Sequence, residues 1–235
     1  MQFSDTTNKQ GLYQHAQFLA SADSNNFPVA DFTRLANVYY YRLVLEAWKA
    51  DSKWKFDDSN QATQPNATQN LVADQQEYTI PTGALKIRRV AIKDDQGTWH
   101  DLEPIVEEDI HEPLDEFEDT SGTPRAYRLI GNDIVLYPAP AAADVTTTDG
   151  LKVWFLREID EFTAADTTQE PGIAEPFHHL IAVGAAYDFG LRKGRGNTQI
   201  LKQEFEQGVI ELKRFYARRW LNKRPRIQVR SEHYR

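Results

Sequence analysis

Side chains capable of chemistry gather at three places in this chain. The densest is the segment holding Glu107, Glu108, Asp109, His111, Glu112, Asp115, Glu116, Glu118 and Asp119. Carboxylate oxygens at this density suit hard cations such as Ca²⁺ or Mg²⁺, but calcium loops space their ligands regularly around a turn glycine. No such spacing is present, so a solvated acidic face is favoured over a metal site. The second place is the pair His178-His179. Adjacent residues on a helix point about 100° apart, so the two imidazoles do not readily share one ion. The third, Lys193-Gly194-Arg195-Gly196-Asn197, has the look of a phosphate loop without its spacing or its terminal Lys-Ser/Thr, and reads as a turn between helices. There is no nucleophile motif and no Gly-rich dinucleotide fingerprint. The absence of cysteine excludes disulfides, thiol nucleophiles and thiolate metal sites. No catalytic residue, metal or cofactor is expected, and the chain does not read as an enzyme.

Charge is informative where chemistry is not. The chain has 27 basic and 35 acidic residues, a net of −8. Nine of the basic residues lie within 212–235, against the single acid Glu232, leaving 18 basic and 34 acidic residues and a net of −16 for the rest. An acidic body ending in a basic arm implies a partner for the arm. It also argues against nucleic acid being gripped by the body. The N-terminal Met-Gln-Phe-Ser-Asp shows no signal peptide, and no stretch approaches the roughly 20 apolar residues of a membrane span.

The elements that carry these features follow from hydrophobic periodicity. Tyr13, Ala16, Gln17 and Ala20 mark a weak helix ended by Ser24-Asn25-Asn26. Phe32, Leu35, Ala36, Tyr39, Leu43 and Ala47 form one stripe of a second helix, and Val38, Tyr41, Leu45 and Trp48 form another, which predicts burial on more than one side. A long polar loop is expected from Asp57 through Asn70. From about 71 to 160 the period becomes two. Strands are expected at Gln76–Ile80, at Leu85–Ile92 with a slip between Ile87 and Val90 of the kind a bulge makes, at Thr98–Leu102, and at Leu151–Arg157. The clearest hairpin joins Tyr127–Ile130 to Ile134–Tyr137 across Gly131-Asn132-Asp133. No βαβ rhythm is present, so an antiparallel sheet or sandwich is favoured.

The stretch from Pro171 to Arg192 predicts a helix opened by Pro176 and apolar nearly all round. Small residues at Gly184, Ala185 and Ala186 would let a neighbouring backbone come close, so it reads as the central helix of a bundle. A further seam, Leu201, Phe205, Gly208/Val209, Leu212 and Phe215/Tyr216, predicts a helix that runs into the arm until Pro225 stops it. The expected class is α+β: a helical bundle from both chain ends with an inserted antiparallel β-domain and an extended C-terminal arm. The boundaries are 1–56 and 171–222 for the bundle, 57–170 for the β-domain and 223–235 for the arm.

Gly122-Thr123-Pro124-Arg125-Ala126-Tyr127, then Gly131 through Pro140, then the helix from Pro171-Gly172 to Gly194, with Trp54 through Asn60 ahead of them, form an ordered series over about residues 28–195. In that order they resemble the head–tail adaptor (connector, neck) proteins of tailed bacteriophages. The resemblance implies a structural virion protein at the neck, assembled in the host cytoplasm as a ring of typically twelve copies beneath the portal. Such a ring joins capsid to tail and lines the DNA channel. The arm would enter the portal protein and the β-domain would face the next tail or neck protein. The C-terminal sequence departs from the family's pattern. Portal binding is therefore assigned to Arg218, Arg219, Trp220, Lys223, Arg224, Arg226, Ile227, Val229, Arg230, Tyr234 and Arg235 on charge and position at the chain's end. An acidic channel wall fits independently, because like charge keeps packaged DNA from sticking. The alternatives are a nucleic-acid-binding module acting through the basic arm and, less favoured, a metal-dependent hydrolase using the acidic segment.

Overall fold

The computed structural model describes residues 1–50, 65–105, 121–145 and 148–218. These divide into a helical unit, residues 1–50 and 160–218, and a β unit, residues 65–159. The fold is mixed α+β, with N-terminal helices packing on C-terminal helices and the β-sheets coming from the middle of the chain.

The helical unit has four α-helices: α1 (Leu12–Leu19), α2 (Val29–Ala50), α3 (His179–Arg192) and α4 (Thr198–Arg218). Pro28 precedes α2, and Asp31 in its first turn complements the positive end of the helix dipole. Phe32, Leu35, Ala36, Tyr39, Tyr40, Leu43, Val44 and Ala47 are its buried stripe. The second stripe is not covered as the two-sided pattern predicted: Val38 is 57% and Leu45 46% exposed, while Tyr41 and Trp48 are half-buried. One stripe suffices to seat α2 on its neighbours in a single chain.

α3 is central, packing against α1, α2 and α4, with Leu180 through Ala186 all buried. Pro176 sits in a 3₁₀ turn, Glu175–Phe177, one step before the α-helix, and Leu191 at the far end of the apolar pattern is exposed. Residues 160–170, which the sequence placed with the β-domain, lie with the helices. Phe162 stacks on Tyr40 and lies 5.0 Å from Phe3 between ring centroids. Its backbone is held at both ends by Asn37, whose Nδ2 donates to Phe162 O and whose Oδ1 accepts from Phe162 N–H, each at 3.0 Å.

In the β unit one sheet has the order β1-β10-β3-β4 and the other β2-β8-β7-β5. The first comprises β1 (Asn66–Gln69), β3 (Ala84–Lys93), β4 (Trp99–Asp101) and β10 (Leu151–Arg157). The second comprises β2 (Glu77–Thr79), β5 (Glu103–Pro104), β7 (Ala126–Ile130) and β8 (Asp133–Tyr137). Val90, Ile92, Leu151 and Val153 from the first meet Tyr78, Tyr127, Ile134 and Leu136 from the second in one buried cluster.

The anticipated slip is a bulge at Arg88, because Trp154 pairs with Arg89 and Phe155 with Ile87. The hairpin turn is shorter than expected: Ile130 pairs with Asp133, leaving only Gly131 (φ +60°) and Asn132 in the turn. Two expectations fail. The loop through Asn70 contains β1, a polar edge strand whose exposed residues carry no alternation to read. The pairing is not wholly antiparallel either. β5 runs parallel to β7, and β6 (Ser121–Gly122) runs parallel to β9 (Ala139–Pro140).

Candidate docking surfaces

The basic stretch begins on α4. Leu201, Phe205, Leu212 and Tyr216 fix one face of α4 in the core, and the Tyr216 hydroxyl accepts the Ala174 N–H at 2.9 Å. Arg218, the last described residue of α4, is exposed. Arg219, Trp220, Lys223, Arg224, Arg226, Ile227, Val229, Arg230, Tyr234 and Arg235 lie outside the described residues. Lys213, part of the basic stretch by sequence, is already engaged: it pairs with Glu46 of α2, which also accepts from Lys49 at 2.7 Å. Hydrogen bonds from Lys213 and then Lys49 hold the Glu46 carboxyl below its ordinary value.

The other chemical candidates are accounted for by packing. Gly194 takes φ +64° in the turn between α3 and α4, Arg195 Nη1 donates to Ser21 O at 3.1 Å, and Asn197 Nδ2 donates to Leu19 O at 2.9 Å. The Lys193–Asn197 turn therefore closes the carbonyl end of α1 rather than offering itself to a phosphate. His178 is 2% exposed. Its Nε2–H donates to Ile173 O at 2.8 Å, which leaves Nδ1 to accept from the Met1 ammonium at 2.7 Å. The acidic segment from Glu107 to Asp119 lies outside the described residues. Among the described residues no cluster of His, Asp or Glu could hold a metal ion.

His178 carries a pH consequence. Burial, reinforced by the Met1 ammonium, holds its pKa below 6.5, and burial does the same to His15 on α1, with His179 adding to the effect. Below about pH 6.5 the unfolded chain then binds more protons than the folded one, so stability falls as pH drops toward the folded values. The urea midpoint is expected to decline between about pH 7.5 and 5.5, and to decline less in His178→Gln and His15→Gln. A flat profile in the parent would contradict the buried neutral imidazoles.

The outward face of the β1-β10-β3-β4 sheet is a surface the sequence did not single out. Register puts Trp154 beside Arg89, Lys152 beside Ala91, and Lys93 beside Trp99, all on the side away from the core cluster. The Arg89 guanidinium lies 4.8 Å from the centre of the Trp154 ring. Lys152 Nζ sits 5.1 Å from Trp154 and 5.6 Å from Trp99, and Lys93 Nζ sits 5.8 Å from Trp99. Arg89 Nε also donates to Asp101 at 2.5 Å. Three cations against one acid is the reverse of the body's balance. Alternation put Lys152 and Trp154 on one face, but only the pairing of β3 with β4 brings in Trp99.

The sequence profile of the SU10 adaptor protein family matches residues 14–229. The chain belongs to that family. It is a phage adaptor, a structural virion component rather than an enzyme, whose work is to bind other virion components. No curated protein matches it. The adaptor match begins within α1, takes in α2 through α4 and continues past Arg218 to Val229, so most of the basic stretch falls within it. Among the described residues no helix is long and apolar enough to cross a membrane.

Proposed function

We propose that this adaptor forms a ring, of twelve copies, directly below the portal protein, joins capsid to tail there, and lines the channel through which DNA passes without sequence-specific binding. The basic arm from Arg218 to Arg235 docks on the portal, and the β unit faces the next tail or neck protein. The observation that carries this reading is the polarity of the chain. A net of −16 over residues 1–211 is followed by nine cations within 212–235; Lys213 pairs with Glu46, while Arg214 and Arg218 are exposed on a helix whose other face is fixed in the core. Acidic walls repel passing DNA, while a cationic end seeks an anionic surface.

Truncation after Asn222 tests it. Tyr216 is the last buried residue among the described residues of α4, and the shortened chain should keep its thermal midpoint within a few degrees. It should also fail to co-sediment with portal rings. Undiminished occupancy of the portal by the truncated chain would overturn the docking assignment. Loss of a steeply salt-dependent affinity for DNA, with portal binding intact, would favour the nucleic-acid module instead.

A further inference from the structure

We infer that the outward face of the β1-β10-β3-β4 sheet, built from Arg89, Lys93, Lys152, Trp99 and Trp154, receives the acidic segment 107–119 of a second copy of this chain. The inference deepens the ring reading and rests on it for the presence of a second copy.

Charge complementarity selects the occupant. Segment 107–119 carries eight carboxylates and no Lys or Arg, with Ile110, Leu114 and Phe117 spaced among them. The face offers the matching mixture: three cations set on two indoles, of which, among the described residues, only Arg89 is paired to an acid. In an assembly of copies that each carry −8, like-charge repulsion opposes every contact except one that places a cationic patch on an acidic one. Each cation already lies over a ring, so its aliphatic stem and the indole form an apolar floor while the charged end stays available.

The same geometry disfavours DNA. Single strands bind by stacking bases on free aromatic faces, and here Arg89 and Lys152 lie over Trp154 while Lys93 and Lys152 lie over Trp99. The described chain on either side of the segment is held in other strand pairings: the Ile105 N–H donates to Tyr127 O at 2.9 Å, and Ser121 pairs with Ala139. β5 and β7 belong to the other sheet, across the core from this face.

Two full-length charge reversals test the pairing. Lys93→Glu/Lys152→Glu makes the face acidic, and Glu107→Lys/Glu108→Lys/Asp109→Lys makes the segment basic. By sedimentation, each alone should self-associate at least about tenfold more weakly than the parent, and an equal mixture should recover association. In alternating order every junction of the mixture is again complementary. Association unchanged in either variant, or no recovery on mixing, overturns the assignment while leaving the ring itself intact. A parent that stays monomeric speaks against the ring reading. The face is then decided by a fluorescein-labelled peptide of residues 106–120. Binding to the parent, weakened about tenfold by Lys93→Glu/Lys152→Glu and also by Trp99→Ala, supports it. Absent or equal binding overturns it, as does tighter binding of a single-stranded oligonucleotide of equal charge. Unchanged thermal midpoints of the variants exclude misfolding as the cause.

Discussion

Gly184→Leu is expected to lower the unfolding free energy by about 1–3 kcal/mol, toward the upper end of that range. A Cβ built on Gly184 would overlap Cδ1, Cγ and Cε1 of Tyr39, so even the first added carbon has no space. The Tyr39 ring cannot yield. It is 5% exposed and meets Phe205 edge-on at 5.0 Å, which locks α2, α3 and α4 together through one side chain. Gly208→Ala is the contrast. Its Cβ would meet the methyl end of Leu180, a flexible side chain, and replacing a helical Gly gains up to about 1 kcal/mol of propensity. Denaturant midpoints should therefore fall clearly for Gly184→Leu and much less for Gly208→Ala. Equal effects at the two positions would mean that Tyr39 does not fill the space beside Gly184. In Gly184→Leu/Tyr39→Ala the added side chain enters the vacated ring site, and coupling of about 0.5–3 kcal/mol between neighbours of this kind should appear as partial recovery.

That close approach was legible in outline. Gly184-Ala185-Ala186 on a helix apolar all round required a tightly packed neighbour, although the neighbour is a tyrosine ring rather than a backbone. The bundle helices and the bulged strand were legible for the same reason: buried faces impose periods of 3.6 and two, and a bulge interrupts the second visibly. Two features failed where burial leaves no imprint. β1 is an edge strand with exposed polar residues, so its pairing to β10 is set by backbone hydrogen bonds that no side chain announces. Val38 and Leu45 show the converse, because apolar character marks surfaces that meet something without saying whether this chain supplies it.

The surfaces divide along the same line. The basic stretch could be proposed as a docking arm because charge composition needs no geometry, and family membership followed from the order of turns and seams. The tryptophan–cation face was not, because β3, β4 and β10 are brought together by residues far apart in sequence. Lys213 shows the limit of counting charge: its ion pair with Glu46 ties α4 to α2 and removes it from the set free to meet a partner.

Phe32→Ala is expected to be the most damaging single truncation in the helical unit, costing about 3–5 kcal/mol against a typical domain stability of about 5–15. Phe32 is fully buried on α2, with ring centroids 5.5 Å from Phe3, 5.3 Å from Tyr13 and 6.1 Å from Phe27. Phe27 in turn stacks on Phe189 of α3 at 4.1 Å, and Phe3 lies against Phe162. The Phe32 ring thus meets the N-terminal segment, α1 and the turn before α2, and the cluster reaches α3 and the 160–170 segment through Phe27 and Phe3, so removal of the ring opens a cavity bordered by residues held from several directions. Phe32→Leu retains much of the volume and should cost markedly less. Phe18→Ala on α1, where the ring is 79% exposed, should fall within about ±0.5 kcal/mol. Calorimetric midpoints of the three variants rank the idea directly, and a Phe32→Ala loss no larger than that of Phe18→Ala would mean the aromatic cluster does not hold the bundle. Under the docking we propose, the consequence extends to the portal, because the basic stretch begins on α4, whose core this cluster helps to fix. Phe32→Ala should weaken attachment to the portal only at temperatures where the helical unit begins to unfold, whereas truncation of the arm should abolish it at every temperature.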